Sequence, residues 1–204
     1  MSGTTISEEL IHKCIDFHGH WCPGLATGIR AAEYALKEFG SCEDEEIVAI
    51  AETDFCGVDA VQFLTGCTLG KGNLLIRNVG KMAFSFYRRR DGKAKRIVRR
   101  SVKDGSESGE YRELQKKSSR GTLSDDELDR YYELRDEQSG IILGMDLDEL
   151  FDVKEVQIPM PDYAPMKKSV RCEDCGEMVM ETKARLSGGR VLCIPCFERN
   201  NPRF

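Results

Sequence analysis

Long apolar runs are absent. No stretch of eighteen consecutive apolar residues occurs in the 204-residue chain, which excludes a membrane-spanning helix. Histidine and tryptophan are scarce, with three copies and one. The segment Met1 to Glu9 has neither the basic start nor the apolar stretch of a secretion signal, so a cytoplasmic protein is expected. No internal repeat is visible. No nucleic-acid-binding motif accompanies the net charge of −5, so nucleic acid is not an expected partner.

Cysteine is plentiful instead. Nine cysteines in a reducing compartment point to metal binding or thiol chemistry rather than disulfides. Hydrophobic residues make up 40%, enough for one core of ordinary size plus a small appendage. Charge is uneven. Arg88 to Lys103 holds nine Lys or Arg and one acid, Asp91, whereas Asp125 to Glu155 holds twelve acids against Arg130, Arg135 and Lys154. Opposed blocks suggest pairing within the chain or between protomers, and a homodimer is expected. The basic block reads better as a solvated ribbon with a protected edge than as a nucleic-acid surface.

Periodicity places the elements. Thr5 and Glu8 have capping-box spacing ahead of a helix striped by Ile6, Leu10, Ile11, Cys14 and Phe17. Pro23 suits the first turn of a second helix ending at Gly40, in which Gly24 and Gly28, four apart, leave room for a backbone or ligand to approach. Ile47 to Ala51 reads as a buried strand, Val58 to Leu64 as a short helix, and Leu74 to Ile76 as a further strand. The alternation of Met82, Phe84 and Phe86 predicts a half-buried strand, with Asp91-Gly92 as a hairpin turn and Lys95 to Val102 as the return. Glu107 to Ser118 is polar and helical, Ser124 and Glu127 form a second capping box, and Val153 to Ile158 reads as a last strand. Pro159, Pro161 and Pro165 mark a stiff linker, giving a core of residues 1–160 and a tail of residues 161–204.

The tail carries Cys172-x-x-Cys175 and Cys193-x-x-Cys196, seventeen residues apart. Two such knuckles complete a tetrahedron around one structural zinc, with no position open to a substrate. Gly176 gives the first knuckle its turn, and Gly188-Gly189 closes the intervening hairpin. Four buried or redox cysteines are the alternative. Arg185-Leu-x-Gly-Gly and Cys193-Ile-Pro-Cys-Phe-Glu look like zinc fingers of the DksA/TraR type.

At the other end lies His18-x-His20-x-Cys22-Pro23-Gly24. A helix N-terminus favours Cys22 as thiolate, and the two histidines supply nitrogen ligands or a base. Hydrogen-bonded core histidines are an equal reading of these residues alone. Cys56 lies past the end of a strand and Cys67 in a glycine-rich loop, which adds donors for a second metal site of zinc, nickel or iron. Asp54, Asp59, Gln62, Thr65 and Lys71 are placed to orient ligands or line a pocket. Cys14 fits an apolar helix face and Cys42 a surface loop. The run Gly66 to Gly72 fails as a nucleotide phosphate loop by spacing and by Gly72, although its N–H groups and Lys71 could cradle an anion.

Four stretches carry a resemblance. They are Phe17-His-Gly-His-x-Cys-Pro-Gly-x-x-x-Gly28, Glu52-Thr-Asp-x-Cys56-x-x-Asp59-Ala-Val-Gln62, Thr65-Gly-Cys-Thr-x-Gly-Lys-Gly-Asn73 and Gly80-Lys-x-Ala-Phe84. In these the chain resembles the FmdE family, named for formylmethanofuran dehydrogenase, over roughly its first ninety residues. The resemblance implies an α+β core, helices packed on a mainly antiparallel sheet, usually dimeric, followed by a small zinc finger. It implies a shared site around His18, His20, Cys22, Cys56 and Cys67. The function expected is that of a metal-binding accessory protein that carries, senses or inserts a metal for a molybdenum or tungsten enzyme or its maturation proteins. The alternatives are a zinc- or thiol-dependent enzyme acting on a small C1 or acyl substrate, and a zinc-finger regulator of transcription. Catalytic residues and substrate stay unassigned.

Overall fold

The computed structural model describes residues 3–40, 46–106 and 108–201, and Cys42 lies outside the described residues. The chain forms two units, Met1–Tyr163 and Ala164–Phe204.

The first unit begins with helix α1, Glu8–His18, and helix α2, Pro23–Phe39. Strand β1, Ile47–Ala51, and helix α3, Gly57–Thr65, follow. Next come strands β2, Leu74–Ile76, β3, Ala83–Arg88, and β4, Ala94–Arg99. Helices α4, Gly109–Arg120, α5, Asp125–Gly144, and α6, Leu147–Leu150, lead to strand β5, Phe151–Lys154. The five strands form one sheet in the order β2-β1-β3-β4-β5. The β1–β2 pair is parallel and the other three pairs are antiparallel.

Both faces of the sheet are covered. Ile47, Ala49, Ala51, Phe84 and Phe86 face α2, α3 and α5, packing on Ala31, Ala35, Phe39, Val61 and Ile142. On the reverse face, Val48, Ile50 and Tyr87 meet Val156, Ile158 and Met160. The β3 strand is therefore buried on both sides rather than half-buried as its alternation predicts. Its small and polar residues, Ala83 and Ser85, are covered as completely as Phe84 and Phe86.

Two other expectations change. The last strand stops at Lys154, because residues 155–160 cross the reverse face, where the Tyr87 hydroxyl donates to the Ile158 carbonyl at 3.0 Å. The α1 N-cap is Ser7, whose hydroxyl accepts from Leu10 N–H. Thr5 is drawn away by Glu33, whose Oε1 accepts from the Thr5 N–H at 2.8 Å and hydroxyl at 2.9 Å. Glu33 is buried and must find partners, so it outcompetes an exposed cap. The Ser124–Glu127 capping box forms as expected.

Among the described residues, seven of the nine cations of the basic ribbon pair with acids of the same unit. Arg88 pairs with Asp91, Arg90 with Glu46, Lys93 with Glu38, Lys95 with Glu155, Arg96 with Glu52, Arg99 with Asp104 and Arg100 with Asp152.

The second unit holds strands β6, Ser169–Arg171, β7, Met178–Met180, β8, Arg185–Ser187, and β9, Arg190–Leu192, then helix α7, Ile194–Asn200. The β6–β7 and β8–β9 hairpins are antiparallel. Gly188 and Gly189 both take positive φ, 57° and 79°, as a two-residue hairpin turn requires.

Candidate metal centre

Two helix N-termini converge on one point. Cys22 is the N-cap of α2, its Sγ accepting from the Leu25 N–H at 3.3 Å. Cys56 is the N-cap of α3 and makes no side-chain cap bond, which leaves its thiol for other use. The helices can meet so closely because glycine lines the contact. A Cβ on Gly28 would lie 2.3 Å from the Gly57 carbonyl oxygen, and one on Gly57 would lie 3.0 Å from the Gly24 carbonyl oxygen. The small-residue pair read from the sequence thus admits a backbone, that of Gly57.

His18 ends α1, and Gly19, at φ 91°, turns the chain so that His18 and His20 stand with ring centroids 4.3 Å apart. The donor atoms of His18, His20, Cys22 and Cys56 all lie within 4.8 Å of one another. A filled zinc tetrahedron of nitrogen and sulfur has edges of about 3.3–3.8 Å, so a small contraction suffices.

His18 is built as a ligand would be. Its Nδ1 shares a 2.7 Å hydrogen bond with Asp59 Oδ2, which fixes the ring and leaves the Nε2 lone pair for a metal. The side chain is only 9% exposed, yet Nε2 is buried without any hydrogen-bond partner. An orphaned imidazole nitrogen costs free energy unless something fills its lone pair. An ion between the four donors would do so.

Burial and the neighbouring Cys22 push the Cys56 thiol up to about 11, outweighing the opposing pull of Arg135. The helix terminus alone therefore does not make Cys56 acidic. A bound metal would supply the missing charge and displace the proton. Burial, then the His18 ring and Arg135, hold His20 below the ordinary imidazole value. Cys22 is buried while His20 is exposed, so one side of the donor group faces solvent.

Cys67 does not join the group. Helix α3 spans nine residues, roughly 13 Å, and separates it from Cys56. Its Sγ instead donates to the Ile47 carbonyl at 3.4 Å inside the core. Gln62 and Thr65 brace the following loop, Gln62 accepting from Leu69 N–H and Thr65 from Cys67 N–H. The loop N–H groups of Thr68, Lys71 and Gly72 are also spent internally, on Asn73 Oδ1, Thr68 Oγ1 and the Thr68 carbonyl. An anion cradle there has few donors left. Asp54 is exposed, and Cys14 is buried on the apolar face of α1, as expected. Arg135, whose charge reaches both His20 and Cys56, was missed by sequence reading. An isolated arginine in an acidic helix was its only local signal.

In the second unit, the Sγ atoms of Cys172, Cys175, Cys193 and Cys196 likewise lie within 4.8 Å of one another. Backbone N–H groups of Cys175 and Cys193 pull the Cys172 thiol down to about 6, while burial and the neighbouring thiols push Cys196 up, so the four do not ionise together without a metal to displace their protons. Gly176, at φ 77°, closes the first knuckle through its N–H to the Cys172 carbonyl at 2.9 Å. Four thiols and no other donor make a closed structural site for zinc.

Comparison with known proteins finds a family match for each of two regions of the chain. Residues 17–152 match the family described as FmdE, molybdenum formylmethanofuran dehydrogenase operon, which extends the likeness well beyond the first ninety residues. Residues 168–202 match the prokaryotic dksA/traR C4-type zinc finger. A protein of Archaeoglobus fulgidus, described as a probable S-adenosyl-L-methionine-binding protein, is 33% identical over 196 residues, covering 92% of this chain and 52% of the relative. The chain thus spans about half the length of that curated relative. A solved structure of a tungsten formylmethanofuran dehydrogenase FmdE-like protein from Syntrophus aciditrophicus covers 100% of both chains, with a TM-score of 0.60 and 26% identity. With the match covering most of its length, the chain belongs to the FmdE family and carries a C4-type zinc finger at its C-terminal end.

Proposed function

We propose that this chain is a cytoplasmic metal-binding accessory protein that holds an exchangeable ion at His18, His20, Cys22 and Cys56, distinct from the fixed zinc of the finger. The observation that carries this reading is the buried, partnerless Nε2 of His18, locked in place by Asp59 beside two helix-capping thiols. Imidazole with thiolate suits zinc, nickel or iron. The solvent-facing side at His20 allows an ion to be received and released, which a closed four-thiol site resists. The family description and the tungsten-related name of the Syntrophus protein support service to a molybdenum or tungsten enzyme or its maturation proteins.

A second reading is a zinc- or thiol-dependent enzyme for a small C1 or acyl substrate. It draws on the same opening and on the Arg135 charge beside it, which would favour an anionic group. The transcription-regulator reading has weaker support, since the ribbon cations expected to meet nucleic acid are paired with acids.

Transfer kinetics test the carrier reading. Metal-loaded protein mixed with excess chromophoric chelator should release one equivalent quickly and the finger zinc slowly. A single slow phase for all bound metal would contradict it.

A further inference from the structure

The reverse face of the sheet carries a second feature that the metal centre does not use. A cleft of about 640 Å³ opens there, lined by Glu52, Arg77, Lys81, Arg96, Lys154 and Glu155, with Val79 and Ile158 as apolar walls. That volume is typical of a small-molecule site.

Its charge is unbalanced. Both acids are already engaged, Glu52 by a two-pronged bond from Arg96 at 2.5 and 2.8 Å, and Glu155 by Lys95 at 2.5 Å. Among the described residues Arg77, Lys81 and Lys154 form no ion pair, which places three cations without an ion-pair partner around one recess. Lys154 also stands directly opposite Arg96 across the β4–β5 ladder. Arg96 is answered by Glu52, which leaves Lys154 as the cation of this pair with no acid of its own.

The cations are held by backbone, not by chance. The Arg77 N–H donates to the Ala51 carbonyl at 2.8 Å, and the Val79 and Lys81 N–H groups donate to the Glu52 carbonyl at 3.0 and 3.2 Å. The segment bends at Val79 and Gly80, the latter at φ 72°, and Arg77, Val79 and Lys81 all line the cleft. The bond from Arg96, with the Lys81 and Arg77 charges, holds the Glu52 carboxyl below its ordinary value, so the acid stays ionised and engaged with Arg96.

We propose that this cleft binds a small phosphorylated anion through Arg77, Lys81 and Lys154, with Arg96 fixed by Glu52 as the inner wall. The shape favours a compact di- or triphosphate over a nucleic-acid track, because Glu52 and Glu155 bound the recess.

Calorimetric titration of the full-length, metal-loaded protein with inorganic pyrophosphate at low salt tests this. One site is expected. Arg77→Gln with Lys81→Gln should weaken it by about tenfold or more, and Lys154→Gln, on a different element, should weaken it separately. These side chains are exposed, so the variants should keep the wild-type fold by circular dichroism. His18→Ala with Cys22→Ser should leave pyrophosphate affinity unchanged, which keeps this result independent of the metal-site reading. No binding to wild type, binding indifferent to the cleft variants, or binding lost only in the His18/Cys22 variant would overturn the proposal. Length-dependent binding of oligouridylate that exceeds pyrophosphate and falls in the same variants would overturn it too.

Discussion

Gly28 and Gly57 meet backbone against backbone. A Cβ on Gly28 would sit 2.3 Å from the Gly57 carbonyl oxygen and 2.4 Å from its Cα, closer than any side chain can be accommodated without moving the helix. This contact sets the distance between the N-termini of α2 and α3, and hence between Cys22 and Cys56.

Gly28→Ala should therefore damage stability and metal binding together. Overpacking of this kind costs about 1–3 kcal/mol. Trp21, the only tryptophan, packs beside the site and reports core unfolding in urea. A shifted midpoint with weaker metal affinity at the first unit is expected. Unchanged affinity in a destabilised protein would show that the helix spacing does not position the thiols.

Asp59→Asn isolates orientation from ligation. The carboxylate bonds His18 and is not one of the four grouped donors, and loss of such an orienting partner typically costs about 10- to 100-fold in metal affinity. Competition against a chelator of known affinity measures it. Fold and finger zinc should be retained, and an unchanged affinity would remove the assigned role of Asp59.

Glu33 provides a pH test away from any metal. It lies buried against Arg30, with Nη1 to Oε2 at 2.5 Å. Burial alone would raise its carboxyl, but bonds from Thr5 and Thr4 and the Arg30 charge outweigh this and hold it below the usual 4.5. A carboxyl lowered on folding stabilises above its unfolded value, and that contribution is lost as pH falls through the folded one. Glu33→Gln should cost about 3–5 kcal/mol at neutral pH by leaving Arg30 unpaired. The difference from wild type should shrink as pH drops below 4.5. An equal cost at neutral and acid pH would contradict this account.

Much of the site was legible in the sequence, for physical reasons. The candidate donors His18, His20 and Cys22 lie close together around one loop, where spacing alone brings them together. The finger is similarly local, its knuckles fixed by two-residue gaps and by Gly176. What failed was long-range. Cys67 sits in a family-like stretch, but the length of α3 carries it to the far end of the helix. Thr5 had cap spacing, yet buried Glu33, 28 residues away, claims it. The alternation in β3 reports residue size, and nothing local reveals that residues 155–160 cover its second face. Gly24 and Gly28 announced a close approach without saying that Gly57 makes it.

The central claim is a second metal in the first unit, and counting metal per chain tests it most directly. Protein purified without chelator or a nickel-affinity tag and analysed by inductively coupled plasma mass spectrometry should hold two equivalents. Cys175→Ala should lose the finger zinc and unfold the tail while Trp21 fluorescence stays native, because zinc binding supplies about 10 kcal/mol or more of folding energy to such fingers. His18→Ala with Cys22→Ser should lose the other equivalent and keep the finger. One equivalent in wild type, unchanged in the His18/Cys22 variant and accompanied by an iodoacetamide-reactive Cys22, would contradict the account and leave a metal-free thiol pocket.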